Sequence, residues 1–544
     1  MVLSQFYVDE EIGFVSDSPK YLPQRPKMKE LYLGTLSDLL EKDSNHEFII
    51  GIGDNYLRNK IALAHPHLSY MNVISPSAVV DPSVQLGIGN YIAPGAIINI
   101  GSRIGNHNIL NTKASLDHHN KIGDFTHVAP GCSLCGNVTL YDLVFLGAGC
   151  TVTPGITVRP LSMYKANSLI KSSTGILPMY EPYLDSYKES ALQAIQTNWI
   201  SNHGKFVQRS TNLLKTFSET EYCILMHNGT CATHCLLIAM KHCYPSIQKV
   251  YVSNNSYVAV YNMLLLVYPP EQVELMKMDE QTGNVLTSED YIQSLEPNSA
   301  VMIVHNVGNI VNVPRLQRLR PDLVFIEDNC EGFGGTYEGR RSGSASFCSA
   351  LSFYGNKTIT TGEGGAFLTN NKEAYLYIKK IYSQGMSEKR YLHDTMGYNY
   401  RMTNVQAAFL HDQLKDIQHI FNLKKKVFQN YLEILSKFPM IFGSIKKEDN
   451  ITPSYWMFTL SLPNPDLDFE KLCESCEERG FTIRPYFYPF HSHPHLPTLI
   501  TKKEDQEEKH LSTEIQKRFI MLPSFPGITF QEQEFIIQNL ASLL

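Results

Sequence analysis

Four short segments in the second half of the chain carry residue types that could do chemistry together. Asn228-Gly229-Thr230-Cys231 lies between the apolar run CILMH and the helical pattern ATHCLLIAM. A Gly-Thr turn at a helix N-terminus presents backbone amides and a hydroxyl, which suits a phosphate. Phe325-Ile326-Glu327-Asp328 ends a buried-type strand on a carboxylate. Burying a lone charge is costly, so Asp328 asks for a cationic partner, and a pyridinium nitrogen is one. In Ser352-Phe353-Tyr354-Gly355-Asn356-Lys357, followed by Thr361-Gly362-Glu363-Gly364-Gly365, a lysine sits beside a hydroxyl and Gly-rich chain. Such a lysine could form a Schiff base with a carbonyl; standing alone it would read as a solvated side chain. The fourth segment, Gly397 to Arg401 with Asn399 at its centre, is a loop opening a helix.

Two further patterns are set aside. Cys132/Cys135 and Cys473/Cys476 resemble zinc half-sites but fall in different domains on the reading below. His491, His493 and His495 sit in a short loop-like stretch that reads as a polar surface or substrate loop, so no metal is expected.

The elements that must position the four segments form an α/β pattern from residue 179 onward. Amphipathic helices alternate with the short apolar runs CILMH, KVYVS, AVMIVH and LVFIED, as in a large, mainly parallel sheet. Residues 404–437 read as strongly helical. The large domain is expected over 179–437, and a smaller α+β subdomain over 438–544.

The first part of the chain is organised differently. From Ile74 to Val158 every sixth residue is aliphatic, fourteen unbroken steps. Two residues earlier stand mostly small ones, including Ala78, Ala96, Ser102, Ala114, Thr126, Cys132 and Cys150. A sandwich strand would alternate with period two; a hexad period predicts a β-helix, with three hexads to a triangular coil. The aliphatic residue fills the prism, the small one fits the corner, and stacked coils bury what one coil cannot. This β-helix is expected over 73–171, its last stretch from Leu161 to Lys171 reading as degenerate. Residues 1–72 read as a small, truncated α/β unit, with EIGFVS a strand and LYLGTLSDLLEK a strand then a helix. Gly51-Ile52-Gly53 is only part of a dinucleotide fingerprint, because Tyr56 holds the third glycine position. Residues 172–178 read as a linker.

Composition excludes several classes. With 544 residues and a net charge of −6, the chain has length for about three domains and lacks the basic stripe of a nucleic-acid binder. Its 43% apolar and 18% charged content fits an ordered globular protein. Apolar runs such as Met263–Tyr268 are too short to span a membrane. The acidic start, MVLSQFYVDEEIGF, is unlike a signal peptide, and eleven sparse cysteines read as free thiols, so a cytoplasmic location is expected.

Taken in order, SFYGNKTITTGEGG and GYNYRMTNVQAA resemble the DegT/DnrJ/StrS family of pyridoxal-phosphate sugar aminotransferases, over about residues 179–544. TITTGEGG is most similar to perosamine synthases, which aminate carbon four of a nucleotide-linked 4-keto-6-deoxyhexose. The resemblance implies a PLP fold-type I subunit. It implies that Lys357 bonds the cofactor and then shuttles a proton, and that Asp328 pairs with the pyridinium nitrogen. Glu331 is implied near the phenolic oxygen, Tyr257 on the ring, and Gly229, Thr230 and Ser352 at the phosphate. Asn399 is implied to reach that phosphate from a neighbouring subunit, and Arg401 to lie near the substrate. Relatives that dehydrate carbon three carry histidine at the lysine position, so Lys357 points to transamination.

The preface and repeat resemble hexapeptide acetyltransferases of the PglD and sialic-acid O-acetyltransferase type, carried by IGDNYLR, LNTKASLDHHN and IGDFTHVAPG. That likeness implies a left-handed prism in which His118 takes a proton from a sugar amine attacking acetyl-CoA, a role that suits neutral imidazole. His119 stands where the family has an acidic residue, Asp117 precedes, and His127 is implied near the same crevice.

Together these resemblances imply a bifunctional enzyme. A nucleotide-linked 4-keto-6-deoxyhexose would be aminated from glutamate, then N-acetylated from acetyl-CoA. Two alternatives stay open: an aminotransferase on a non-catalytic, trimerising β-helix, and amination and acetylation at carbon three of a 3-keto sugar. A trimeric prism and a dimeric aminotransferase in one chain imply a hexamer, the smallest closed assembly with both axes. The eight residues 171–178 around this linker reach at most about 28 Å.

Overall fold

In the computed structural model of the chain, which describes residues 47–438, 443–444, 446–464, 467–497 and 505–544, the hexad period becomes a parallel β-helix. The elements expected from EIGFVS and LYLGTLSDLLEK lie outside the described residues. Two-residue strands from Val73–Ile74 to Leu169–Ile170 stack into three parallel sheets of six, five and six strands. The register is one coil of eighteen residues: Leu116 pairs with Ile98 below and Leu134 above.

The inward residues Ile92, Ile98, Leu110, Leu116, Val128, Leu146, Val152 and Val158 are completely buried. The small residues Ala96, Ser102, Thr126, Cys132 and Cys150 are completely buried too. Every sixth residue from Gly89 to Asn167 has a positive φ, and this left-handed residue turns each corner. Six of these positions are glycine, but His107, Lys113, His119, Phe125, Asn137, Leu143, Leu161 and Asn167 hold the others. A non-glycine residue there costs about 1 kcal/mol or more, offset by the stacking of coils. The stretch expected to be degenerate is regular. Met163–Tyr164 and Leu169–Ile170 keep the period, because the Tyr164 ring packs against the prism core where an aliphatic residue stood in earlier coils.

Before the repeat, Glu47–Phe48 pairs in parallel with Ser69–Tyr70 across the helix Asn55–Ala64, which Asp54 caps by accepting from Leu57 N. That helix docks on one corner column. Arg58, buried, donates from Nε to His107 O at 2.8 Å and from Nη2 to Phe125 O at 2.9 Å. Asn55 Nδ2 donates to Leu143 O at 3.1 Å. Those three carbonyls belong to left-handed residues one coil apart.

The chain divides into two compact units, one ending at Leu177 with Glu477–Phe481 added, the other formed by Pro178–Cys476 and Thr482–Leu544. The second unit is an α/β fold on a seven-stranded sheet. Its strand order is Tyr222–Met226, Gly365–Thr369, Cys348–Ser352, Val324–Asp328, Ala300–Val304, Val250–Ser253, Val273–Met276. Only Gly365–Thr369 runs antiparallel to its neighbours. Of the apolar runs read from sequence, KVYVS, AVMIVH and LVFIED form inner strands of this sheet, and CILMH forms its edge strand, packed with the helix Gly229–Cys243 in one buried cluster. The 404–437 segment splits into Asn404–Lys415 and Ile417–Leu435 at Asp416, whose carboxylate accepts from Tyr187 Oη at 2.8 Å. A four-stranded antiparallel sheet of Gly443–Ser444, Phe458–Ser461, Phe519–Leu522 and Arg484–Pro485 lies toward the C-terminus with the helices Phe469–Glu478, Asp505–Arg518 and Phe530–Leu543. No helix of the described residues is long and apolar enough to cross a membrane.

Candidate active site

Strand ends bring the second unit's chemical residues together. The helix Gly229–Cys243 follows Tyr222–Met226 directly, and Asn228 caps it by accepting from Cys231 N at 2.9 Å. The amides of Gly229 and Thr230 precede the first intrahelical donor, Ala232 N on Asn228 O, so they stay free for an anion, as does the exposed Thr230 hydroxyl. A Cβ on Gly229 would stand 2.7 Å from Ser352 Cβ, and one on Gly365 2.4 Å from Asn228 O. Both glycines are therefore required for this turn to close on Ser352.

One helical turn after Gly229, Thr233 Oγ1 donates to Asp328 Oδ2 at 2.9 Å, while Cys330 N donates to Oδ1 at 3.1 Å. Asp328 is buried, and no cation of the described residues lies within ion-pair distance of it. Glu327, its neighbour on the strand, points to the opposite face. There it accepts from His305 Nε2 at 2.8 Å, Gly343 N at 2.9 Å and Tyr337 Oη at 3.2 Å. His305 Nδ1 accepts from Val311 N, which fixes a neutral ring with its proton on Nε2. Sequence reading missed Thr233 and this buried pair; the period-two alternation of FIED could have separated the two carboxylates.

Lys357 follows the strand Cys348–Ser352, and its side chain is 13% exposed. Its Nζ stands 3.6 Å from Glu331 Oε1 and 3.9 Å from the centroid of the Trp456 ring. Glu331 Oε2 accepts from Val307 N at 2.8 Å. Val307 has a left-handed backbone (φ 52°), a strained state for a β-branched residue that aims its N–H at the carboxylate. Burial pushes the Glu331 carboxyl up to about 7, against the opposing pull of Lys357 and Val307 N. Tyr257 caps the helix Val258–Val267 with an exposed ring, edge-on to Phe487. Asn399 is exposed and pairs with Ser383, while Arg401 Nη1 donates to Ser383 Oγ at 3.1 Å. Their loop meets the phosphate-type turn through His227 N, which donates to Tyr400 O at 2.8 Å.

In the first unit, Asp117, His118 and His119 lie exposed at one corner of the prism. His118 Nδ1 faces His119 Nδ1 at 3.1 Å. Asp117 turns away and accepts from Asn99 Nδ2 at 3.4 Å, one coil below. The His118 ring covers Gly136 and the His119 ring covers Gly101, each a coil away, where a Cβ would collide with the imidazole. His127 is set apart from this corner by its bonds. Its Nδ1 meets Gly53 O at 3.2 Å and its Nε2 meets Asn111 Nδ2 at 3.1 Å. Asn111 Oδ1 accepts from Thr112 N, so Nδ2 is the donor, and both nitrogens of a neutral His127 are used, Nδ1 on the preface and Nε2 within the prism. Burial keeps that ring below the usual histidine range.

The donor set of the second unit fits pyridoxal 5'-phosphate on three counts. Free amides and hydroxyls converge for a phosphate, a buried carboxylate lacks its cation, and a nearly buried lysine waits beside a carboxyl that holds its proton near neutrality. This fold and this set of groups define an aminotransferase. The sequence model of the DegT/DnrJ/EryC1/StrS aminotransferase family matches residues 185–541, and the chain belongs to that family. It is 32% identical over 365 residues to the GDP-perosamine synthase of Vibrio cholerae, covering 65% of this chain and 95% of that one. It is 29% identical to the GDP-perosamine synthase of Escherichia coli O157:H7, covering 67% and 97%. Among solved structures, Helicobacter pylori PseC, an aminotransferase involved in the biosynthesis of pseudoaminic acid, shares the fold with a TM-score of 0.61 at 21% identity, over 68% of this chain and 98% of that one.

Proposed function

We propose that the second unit transfers an amino group from glutamate to a nucleotide-linked 4-keto-6-deoxyhexose with pyridoxal 5'-phosphate, and that the first unit N-acetylates the product from acetyl-CoA. The observation that carries the first step is Lys357 Nζ held between Glu331 and Trp456, in a unit whose Asp328 is buried without a cation. When bound, the cofactor supplies an electron sink for the carbon that loses a proton. Lys357 would hold the cofactor through Nζ, and its amine, when free, would be the group that carries the proton. Asp328, held by Thr233 and Cys330 N, supplies the negative charge that keeps a pyridine nitrogen protonated. Glu331 would stand near the ring's phenolic oxygen, with a carboxyl able to hold a proton near neutrality. Gly229, Thr230 and Ser352 would bind the phosphate, with Asn399 added from a neighbouring subunit; Tyr257 would cover the ring, and Arg401 would lie toward the substrate.

His118 is the base proposed for acetyl transfer. One observation favours the alternative of a scaffold: its ring nitrogen faces His119, and no carboxylate orients it. Incubation with several 4-keto nucleotide sugars and glutamate, with and without acetyl-CoA and read by mass, separates the readings. Gain of an amine followed by gain of an acetyl group supports both steps; an amine alone supports the scaffold; neither product overturns the proposal.

The proposed assembly is a hexamer, because a three-fold prism and a two-fold aminotransferase combine in the smallest dihedral group containing both. Mass photometry of the full chain is expected to give six copies. A dimer would remove the trimeric prism, and a trimer would remove the paired aminotransferase.

A further inference from the structure

Lys424 is the first of three consecutive lysines in the helix Ile417–Leu435, yet only 3% of it is exposed. Its Nζ donates to Trp456 O at 2.7 Å and to Ser524 O. No carboxylate of the described residues pairs with it. Two carbonyls match the two N–H groups of a neutral amine; the third N–H of an ammonium would be left without a partner. Burial brings this lysine down to about 7, in keeping with that count. A buried amine with no charge partner is costly to keep, so what it holds is informative.

It holds Trp456. The Trp456 carbonyl accepts from Lys424, and the indole Nε1 donates to Asn356 O at 2.9 Å, one residue before Lys357. Ser454, two residues before Trp456, donates through its hydroxyl to Glu331 O and through its amide to Gly308 O at 2.9 Å. Indole, lysine and glutamate are thus tied to one another through backbone. The Lys357 Nζ stands over the indole face, 3.9 Å from its centroid, with Glu331 Oε1 3.6 Å away. An aromatic face in a desolvated setting attracts an ammonium.

We infer that Trp456 is a holding site for Lys357: its indole face and Glu331 receive the ε-ammonium whenever the lysine is not bonded to the cofactor, and Lys424 is the positioning residue that fixes the indole. The inference rests on the aminotransferase reading of Lys357. It gives the freed lysine one defined place from which to return a proton, in place of many solvated rotamers.

Trp199 and Trp456 are the only tryptophans, so Trp199→Phe leaves Trp456 as the single emitter. In that full-length chain before cofactor loading, Lys357→Met is expected to raise Trp456 emission by removing the ammonium from its face. Lys424→Met is expected to shift the same emission by releasing the indole. In the loaded enzyme, Trp456→Leu and Lys424→Met are expected to lower kcat about tenfold with KM for glutamate nearly unchanged, and Trp456→Phe to fall between Leu and the parent. Emission indifferent to Lys357→Met overturns the holding site. Parental emission and kcat in Lys424→Met overturn the positioning role; if that variant does not fold, Lys424→Gln, whose side chain ends one bond short of the Nζ that holds the Trp456 carbonyl, takes the same test. A chain with no borohydride-trapped adduct on Lys357 would instead overturn the aminotransferase reading and leave the emission result standing.

Discussion

The two units solve the burial of polar groups in opposite ways. In the prism, satisfaction is copied by translation. Asn90 N donates to Asn72 Oδ1, Asn108 N to Asn90 Oδ1 and Thr126 N to Asn108 Oδ1, each eighteen residues on. In the aminotransferase unit the buried polar contacts around the site are each made once, between residues 22 to 100 positions apart: Thr233 with Asp328, His305 with Glu327, Lys424 with Trp456 and Ser524. Repetition makes a rigid wall in which one corner can be altered while its neighbours hold. Single-copy networks make a site, and a single deletion there leaves a buried group unpaired.

The largest effect that sharpens this contrast is expected at Lys357. Lys357→Ala should lose transamination by at least about 10⁴-fold while acetylation of a supplied aminosugar continues, since nothing in the prism depends on that side chain. Parental transamination in the variant would reject the assignment, and loss of both activities would show that the units are not chemically separable. Next in size is His118→Ala, expected to lower acetyl transfer about 10²–10⁴-fold and leave transamination intact. Parental acetyl transfer would move the base to His119, because His127 has both nitrogens committed to Gly53 and Asn111.

Arg58→Met probes where the repeat meets something that is not repeated. The guanidinium serves carbonyls of Ile52, His107 and Phe125, and deleting it leaves acceptors buried without a donor. A loss of about 1–3 kcal/mol is expected. It should be confined to the preface: faster hydrogen exchange over residues 47–64, with the amides of the coils above Phe125 as protected as before. Faster exchange spreading through the whole prism would mean that the coils do not hold independently.

Legibility in sequence follows the same division. The hexad period was readable because each coil repeats its demand for one inward aliphatic and one small residue. Its last stretch, from Leu161 to Lys171, reads as degenerate because Tyr164 breaks the chemical pattern while filling the same space. The left-handed corners are partly visible: glycines mark six of them, but His107, Phe125 and Leu143 give no local sign of φ between +54° and +62°. In the second unit, the strand carrying Asp328 is legible as an apolar run, and Ser352 and Lys357 by their motif. Trp456, Thr233 and Lys424 were not. Each acts only across a long sequence separation, and Lys424 reads as one more solvated charge in a run of three.

The smallest effect expected lies in the prism's acidic ladder, and it tests whether translation can also copy a cost. Asn106 N donates to Asp124 Oδ1 at 2.7 Å and Asp124 N to Asp142 Oδ1 at 2.8 Å, so two carboxylates stand one coil apart. Burial, then the charge of Asp124, pushes Asp142 up to about 7, while the bond from Asp124 N opposes them. The unfolded carboxyl would titrate near 3.8. Between these values the folded state holds more protons than the unfolded state, so this group's contribution to stability falls as pH rises from about 4 to about 7 and is level above. Asp142→Asn keeps the Oδ1 acceptor and removes the charge. The variant should therefore match the parent near pH 4 and be the more stable of the two at pH 8, by about 1–3 kcal/mol. Paired thermal melts of the prism transition at pH 4, 6 and 8 measure that gap. A gap that opens with pH means the repeat has copied an acceptor and a repulsion together; a gap constant across the three pH values would show Asp142 ionised without penalty, and the ladder would then be no more than a row of hydrogen bonds.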